Sequence, residues 1–158
     1  MEQLIALTPA WEKAVELYKA EFYACGIDID GTEGMDFEQG DYTSSTYLYI
    51  REEDNKLLGL LNLRSNLTKE EKKRIGNIGY SIRPSEQKKG YAISMLKSAV
   101  FLSIMQGVVP WYMVCREDNF ASKSVILKLG GRKQTSFFDD KNGITLERYV
   151  VYDVFTQN

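Results

Sequence analysis

The sequence predicts an α+β domain with a mixed sheet, and three observations carry that reading. Runs of strand type alternate with segments at helical spacing along the whole chain. From Ile75 to Cys115 a strand, a helix of about 15 residues and a continuously apolar strand follow one another, and such a crossover sets its two strands parallel. Near the end, the Asn142-Gly143 pair within Asp139–Gly143 signals a tight hairpin.

In order, Leu4-Ile5-Ala6-Leu7 is a short first strand closed by Thr8-Pro9, with Thr8 expected to cap the next helix and Pro9 at its first position. Trp11, Val15, Leu17, Tyr18 and Phe22 recur near helical spacing, so Pro9 to Phe22 is an amphipathic helix. Gly26 to Asp41 holds Asp28, Asp30, Glu33, Asp36, Glu38 and Asp41 without a Lys or Arg, and reads as a loop with room for a short helix. Ser45 to Arg51 and Lys56 to Leu63 form an antiparallel hairpin about Glu52-Glu53-Asp54-Asn55. The charge run Lys69–Arg74 reads as a solvated turn. Ile75 to Ile82 resumes the sheet, with Ile78, Tyr80 and Ile82 alternating.

Ala92 to Gln106 is a helix, with Met95, Leu96, Val100, Phe101 and Ile104 expected on its inner side. Gly107 ends it, and Trp111 to Cys115 is the apolar strand that follows. Asn119 to Leu129 is a further helix closed by Gly130-Gly131, and the last strands lie near Arg132–Phe138 and Thr145–Val154. No internal repeat or linker divides residues 1–158, so a single domain is expected.

Composition narrows the chemistry. A chain of 158 residues, 44% of them hydrophobic, supports a true core. A formal charge of −2 lacks the basic surplus of a nucleic-acid binder. Histidine is absent, which removes Ser-His-Asp and Cys-His machinery and histidine-based zinc sites; no metal is expected. Cys25 and Cys115, both in apolar or aromatic sequence surroundings, read as two reduced thiols rather than a disulfide framework. No apolar run is long enough for a membrane span, and Met1-Glu2-Gln3 lacks the basic start of a signal peptide, so a cytoplasmic protein is expected.

The segment that carries chemistry is Asn77 to Ala92. A strand ends at a proline, and a loop with Lys88, Lys89 and Gly90 opens a helix. The start of a helix presents unpaired N–H groups and the positive end of its dipole, and Gly90 permits close backbone approach. The arrangement suits an anion such as a pyrophosphate. The competing reading is a turn at Gly90 with two surface lysines. Other phosphate motifs fail: there is no G-x-G-x-x-G and no G-x-x-x-x-G-K-[ST].

Gln87-Lys88-Lys89-Gly90-Tyr91-Ala92 matches Q/R-x-x-G-x-G/A after a strand and before a helix, and this resembles the acyl-CoA loop of the GNAT superfamily of N-acetyltransferases. Gly79 to Glu86 looks like the fourth strand and bend of these enzymes. Asp118-Asn119-Phe120-Ala121-Ser122 and Lys128-Leu129-Gly130-Gly131 look like their N-x-x-S…k-x-G-G signature. With Leu61-Asn62-Leu63-Arg64, the chain is similar to a branch of bacterial GNAT proteins.

The resemblance implies the GNAT fold: a mixed central sheet of about six to seven strands flanked by about four helices. It implies acetyl-CoA as cosubstrate and transfer of its acetyl group, by direct attack, to a primary amine of a small molecule or peptide. Tyr80, Ser81 and Ile82 would offer backbone groups to the pantetheine arm, much as an added strand pairs. Gln87, Lys88, Lys89, Gly90, Tyr91, Ala92 and Ile93 would form the pyrophosphate loop, and Asn119 and Ser122 would contact the cofactor from the other side. An N–H near Ile82 would stabilise the oxyanion.

The sequence departs from relatives at the catalytic positions. Val114 stands where ribosomal-protein acetyltransferases often have Glu, Ile126 where many GNAT enzymes have a general-acid Tyr, Asn77 where the close branch has His, and Lys128 where glutamate is common. Tyr80, Tyr112 and Glu117 are the catalytic candidates by location. The alternative is a non-catalytic acyl-CoA-binding or regulatory module that kept the loop and lost its base. A nucleotide-binding protein is a third reading, with no ribose or Mg²⁺ pattern behind it. The acidic loop Asp28–Asp41 would favour a cationic acceptor, or is simply a solvated loop. Its Asp28-Ile29-Asp30-Gly31 does not space a calcium loop. Cys115, beside Arg116, reads as core rather than as an acyl-carrying nucleophile. A monomer and a homodimer formed through the last strands both fit.

Overall fold

Strand β3 (Lys56–Ser65) is buried at all but its two end positions because both its faces are covered. The computed structural model describes residues 1–27, 29 and 42–151. Leu57 and Leu60 pack with Val15, Tyr18 and Phe22 of helix α1 (Glu12–Cys25) and with Leu48 and Ile50 of β2 (Thr43–Arg51). Leu58, Leu61 and Leu63 join Met95, Leu96, Ala99 and Val100 of the later helix α3 (Tyr91–Met105). The first sheet runs β1 (Glu2–Ala6), β2, β3, β4 (Ile78–Ile82), with every neighbour antiparallel.

The expected α+β architecture is present, with seven strands and four helices among the described residues. Its details differ from the expectation in instructive places. Thr8 precedes a 3₁₀ turn at Pro9–Trp11 but its side chain makes no capping bond. Leu17 of α1 and Phe101 and Ile104 of α3 are exposed, and Ala99 and Ser103 take the inner face of α3 instead. Cys25 is exposed at the end of α1, whereas Cys115 is buried. Lys69–Arg74 is not a turn but the short helix α2. Thr68 Oγ1 accepts from Glu71 N at 3.1 Å while Glu71 Oε1 accepts from Thr68 N at 2.9 Å, a capping box that starts a helix within a charge run.

The crossover after β4 exists, but β5 (Trp111–Arg116) does not pair with β4. Instead β5, β7 (Ile144–Val151) and β6 (Arg132–Asp139) form a second, antiparallel sheet. Among the described residues the backbones of the two sheets meet near Gly76, which bridges Met113, and at Asn77, whose N–H donates to Tyr112 O at 2.7 Å. The Asn77 side chain then accepts from Tyr112 N at 3.0 Å, taking the amide a ladder would need. Gly76 sits at φ +70°, and a Cβ there would lie 2.2 Å from Tyr112 O, so only glycine permits this close approach. Beyond that contact the strands part, and α3 and α4 (Phe120–Lys128) start beyond the ends of β4 and β5. The acidic loop Asp28–Asp41, apart from Ile29, and the end of the last strand beyond Val151 lie outside the described residues. Among the described residues, no helix is long and apolar enough to cross a membrane.

Candidate active site

The parting of β4 from β5 creates a wedge, and beyond the Asn77–Tyr112 contact a pair of hydroxyls spans it. Tyr80 Oη on β4 lies 3.0 Å from Ser122 Oγ in the first turn of α4. Ser122 is fixed by the N-cap of its helix, where Asn119 Oδ1 accepts from Ser122 N at 3.1 Å. Asn119 therefore faces the wedge as a cap. Ser81 turns the other way: its Oγ meets Tyr18 Oη at 2.9 Å beneath α1, and burial pushes the Tyr18 phenol up. The Ile82 carbonyl accepts from Gln87 Nε2 at 2.9 Å, so Gln87 ties the loop back to the strand end.

The loop between β4 and α3 is held from below. Glu21 of α1 takes Arg83 Nε at 2.6 Å and Ser85 N at 2.7 Å. Glu86, only 4% exposed, accepts from Lys56 Nζ at 2.8 Å, Lys89 Nζ at 2.9 Å and the Arg51 guanidinium at 3.3 and 3.4 Å. Lys56, then Lys89 and Arg51, hold its carboxyl down at about 2. Lys89 is thus drawn back to Glu86, and Tyr91 Oη accepts from Arg51 Nη1 at 3.2 Å. Sequence reasoning missed this cluster, since its members lie 30 and 35 residues apart in the chain.

Above that foundation, Lys88 at φ +63° and Gly90 at φ +85° turn the chain into α3. Gly90 provides no side-chain cap, and a Cβ on it would meet nothing within 4 Å. The start of α3 is therefore open at Gly90 and has no side-chain cap, while Tyr91, Ala92 and Ile93 pack their side chains against the core. This cradle fits the diphosphate of a coenzyme A.

A cleft of about 860 Å³ opens where the sheets diverge. Tyr80, Asn119 and Ser122 line it, together with Arg64, Arg74, Cys115 and Asp139. Tyr112 and Glu117 do not: the Tyr112 ring lies 5.2 Å from the Arg148 guanidinium, and Glu117 is exposed beyond β5. The loop Gln87–Ile93 is also outside the cleft lining, so the cradle and the cleft are separate features that meet at β4. Arg64 is buried, donating from Nε to Asn62 Oδ1 at 2.9 Å and from Nη1 to Ile75 O at 2.9 Å, which anchors the end of α2. In β7, buried Glu147 binds Lys123 Nζ at 2.6 Å, Lys133 Nζ at 3.1 Å and Tyr149 Oη at 3.0 Å. Lys123 follows Ser122, so this ion pair pins the first turn of α4 to β7. Burial pushes Tyr149 up to about 12.

Residues 9–132 match the model of the Acetyltransferase (GNAT) domain family. The chain belongs to the GNAT acetyltransferase family. A comparison with curated protein sequences returned no match. Solved structures share the GNAT fold at low identity. An acetyl transferase from Salmonella typhimurium that modifies the N-terminal serine of a 50S ribosomal subunit protein is 18% identical, with a TM-score of 0.69 over 96% of this chain and 95% of that one. A ribosomal alpha-N-protein acetyltransferase in complex with coenzyme A is 17% identical, with a TM-score of 0.73 over 97% and 95%. A mutant form of the spermidine/spermine N-acetyltransferase from Vibrio cholerae is 14% identical, with a TM-score of 0.66 over 96% and 94%. In this GNAT acetyltransferase, the wedge and the glycine-initiated α3 lie within the matched segment.

Proposed function

We propose that this GNAT protein moves the acetyl group of acetyl-CoA onto a primary amine of a small molecule or peptide. The observation that carries the reading is the open, uncapped start of α3 at Gly90, set at the end of an edge strand that parts from its neighbour. When bound, acetyl-CoA supplies an activated thioester. The chain's own residues do the rest. Amides of the α3 first turn hold the diphosphate, with Lys88 adding charge. The outer edge of β4 at Tyr80–Ile82 offers backbone groups to the amide-bearing arm, as a sheet edge takes an added strand.

Tyr80 Oη and Ser122 Oγ form a hydroxyl pair in the cleft, able to hand a proton to the leaving group while the helix cap at Asn119 keeps Ser122 in place. The solved relatives named above act on a peptide amine and on polyamines, and an amine acceptor is the chemistry they share.

The test is a thermal-shift titration with acetyl-CoA, CoA and ATP, followed by amine-dependent CoA release. A ligand at about 100 times its Kd stabilises the native state by about 2.7 kcal/mol, a rise of several degrees. Acetyl-CoA and CoA are expected to raise Tm where ATP does not, and Gly90→Glu abolishes the shift by placing a carboxylate at the cradle. No response to either CoA species overturns the reading. Binding without release of CoA in the presence of any amine identifies a cofactor-binding module instead.

A further inference from the structure

The cleft contains one carboxylate whose charge is met by an exchangeable partner. Three acids line it: Glu70, Glu71 and Asp139. Glu70 is exposed, and Glu71 is engaged in the capping box of α2. Asp139 is 9% exposed and is fixed by its own turn: Oδ1 accepts from Lys141 N at 3.1 Å, Oδ2 from Asn142 Nδ2 at 2.7 Å, and its carbonyl from Gly143 N at 2.8 Å. These donors are neutral, so they set the carboxylate in place without cancelling its charge. They also keep it ionised, the Asn142 bond holding its carboxyl below the usual range.

The charge is met by Arg74 Nη2, at 3.7 Å and from a side chain 43% exposed. Arg74 ends a six-residue helix that buries none of its residues. Beside it, Lys73 Nζ lies 5.2 Å from the centre of the Phe137 ring, so α2 reaches β6 through cationic contacts from two neighbouring residues. Both are contacts that another cation can replace. Of the other cations of the cleft, Arg116 pairs with Asp118, Arg64 with Asn62 and the carbonyls of Ile75 and Gly76, and Lys141 is exposed and meets Asp139 through its backbone N–H.

Resting on the acetyltransferase reading, we infer that Asp139 receives a cationic group of the acceptor other than the amine that is acetylated, and that Arg74 holds that place until the acceptor arrives. The acceptor class is therefore one that carries a second positive charge. Asp139 is a specificity-determining residue here; the acetyl group is transferred at the Tyr80–Ser122 end of the same cleft.

The experiment measures binding to the CoA-saturated protein by calorimetry with two matched pairs of amines. One pair is 1,4-diaminobutane and butylamine; the other is a serine-initiated tripeptide with lysine or norleucine at its second position. Wild type is expected to prefer the doubly charged member of at least one pair by about tenfold, and which pair responds separates a polyamine from a peptide source. Asp139→Asn, which removes the charge and keeps one of the two acceptor oxygens of the turn, brings the preference to within twofold. Arg74→Gln, at an exposed site, tightens the doubly charged ligand several-fold and leaves CoA affinity unchanged. Absence of preference in both pairs, or preference retained in Asp139→Asn, overturns the inference while CoA binding stands. Absence of CoA binding overturns the reading beneath it.

Discussion

Glu86 and Asp139 are both nearly buried carboxylates held by cations, and they are held in opposite ways. Glu86 sits under the cofactor cradle with Lys56, Lys89 and Arg51 around it, drawn from the hairpin and from the loop itself. Asp139 sits in the cleft with neutral donors from its own turn and one distant arginine. The first arrangement ties three segments into one foundation and gains by never opening. The second fixes a charge and leaves its partner replaceable. A site that binds the same cofactor at every turnover and exchanges an acceptor needs one of each.

The largest effect is expected where the foundation is broken. Glu86→Gln keeps the shape and removes the charge that gathers three cations, so a loss of about 3 kcal/mol is expected. That corresponds to a fall in Tm of roughly 6–12 °C for a chain of this size. Asp139→Asn is expected to cost less, about 1 kcal/mol or roughly 2–4 °C, because it loses a distant pair with a half-exposed arginine and one of two acceptor oxygens. Equal losses at the two positions, measured by thermal denaturation, would erase the distinction.

The same comparison can be sharpened with pH. The Glu86 carboxyl is depressed from 4.5 to about 2 by Lys56, Lys89 and Arg51, so its stabilising contribution is fully present above the ordinary carboxylate range. It is lost as pH falls through the folded value. The gap in Tm between wild type and Glu86→Gln is therefore expected to be constant from pH 7 to about 5 and to shrink toward pH 2. A gap that persists at pH 2 would mean that the glutamate acts through shape and not through charge.

The difference between the two regions also explains what could be read in the sequence. Glycine at 90, the Asn119 cap and the Asn142-Gly143 hairpin act through local backbone geometry, and a local pattern records them. The Lys56–Glu86 and Arg64–Ile75 contacts join separate elements, and no spacing rule reports which surface a lysine or arginine will meet. Two errors have sharper causes. The capping box Thr68–Glu71 was legible, yet the six charges that follow hid it behind an expectation of solvated turn. The crossover was legible too, but the parting of β4 from β5 depends on an asparagine side chain replacing a ladder bond and on a glycine at the contact. Of the three catalytic candidates, Tyr80 lines the cleft and Tyr112 and Glu117 do not: the Tyr112 ring meets the Arg148 guanidinium, and Glu117 lies exposed beyond the end of β5.

The Tyr80–Ser122 bond tests whether the wedge is built for opening. It is a single half-buried bond between neutral hydroxyls, so Ser122→Ala is expected to cost only about 1 kcal/mol, a Tm change of roughly 2–4 °C. Its effect on turnover should be out of proportion to that loss. If the hydroxyl pair supplies the proton to the leaving group, kcat falls by about 100-fold while KM for acetyl-CoA moves little. Tyr80→Phe, which keeps the ring and removes the other hydroxyl, separates the two partners: the variant with the greater loss of kcat lacks the donor. If both variants turn over as wild type does and only Tm falls, the bond is a clasp between the sheets, and proton transfer belongs to water in the cleft.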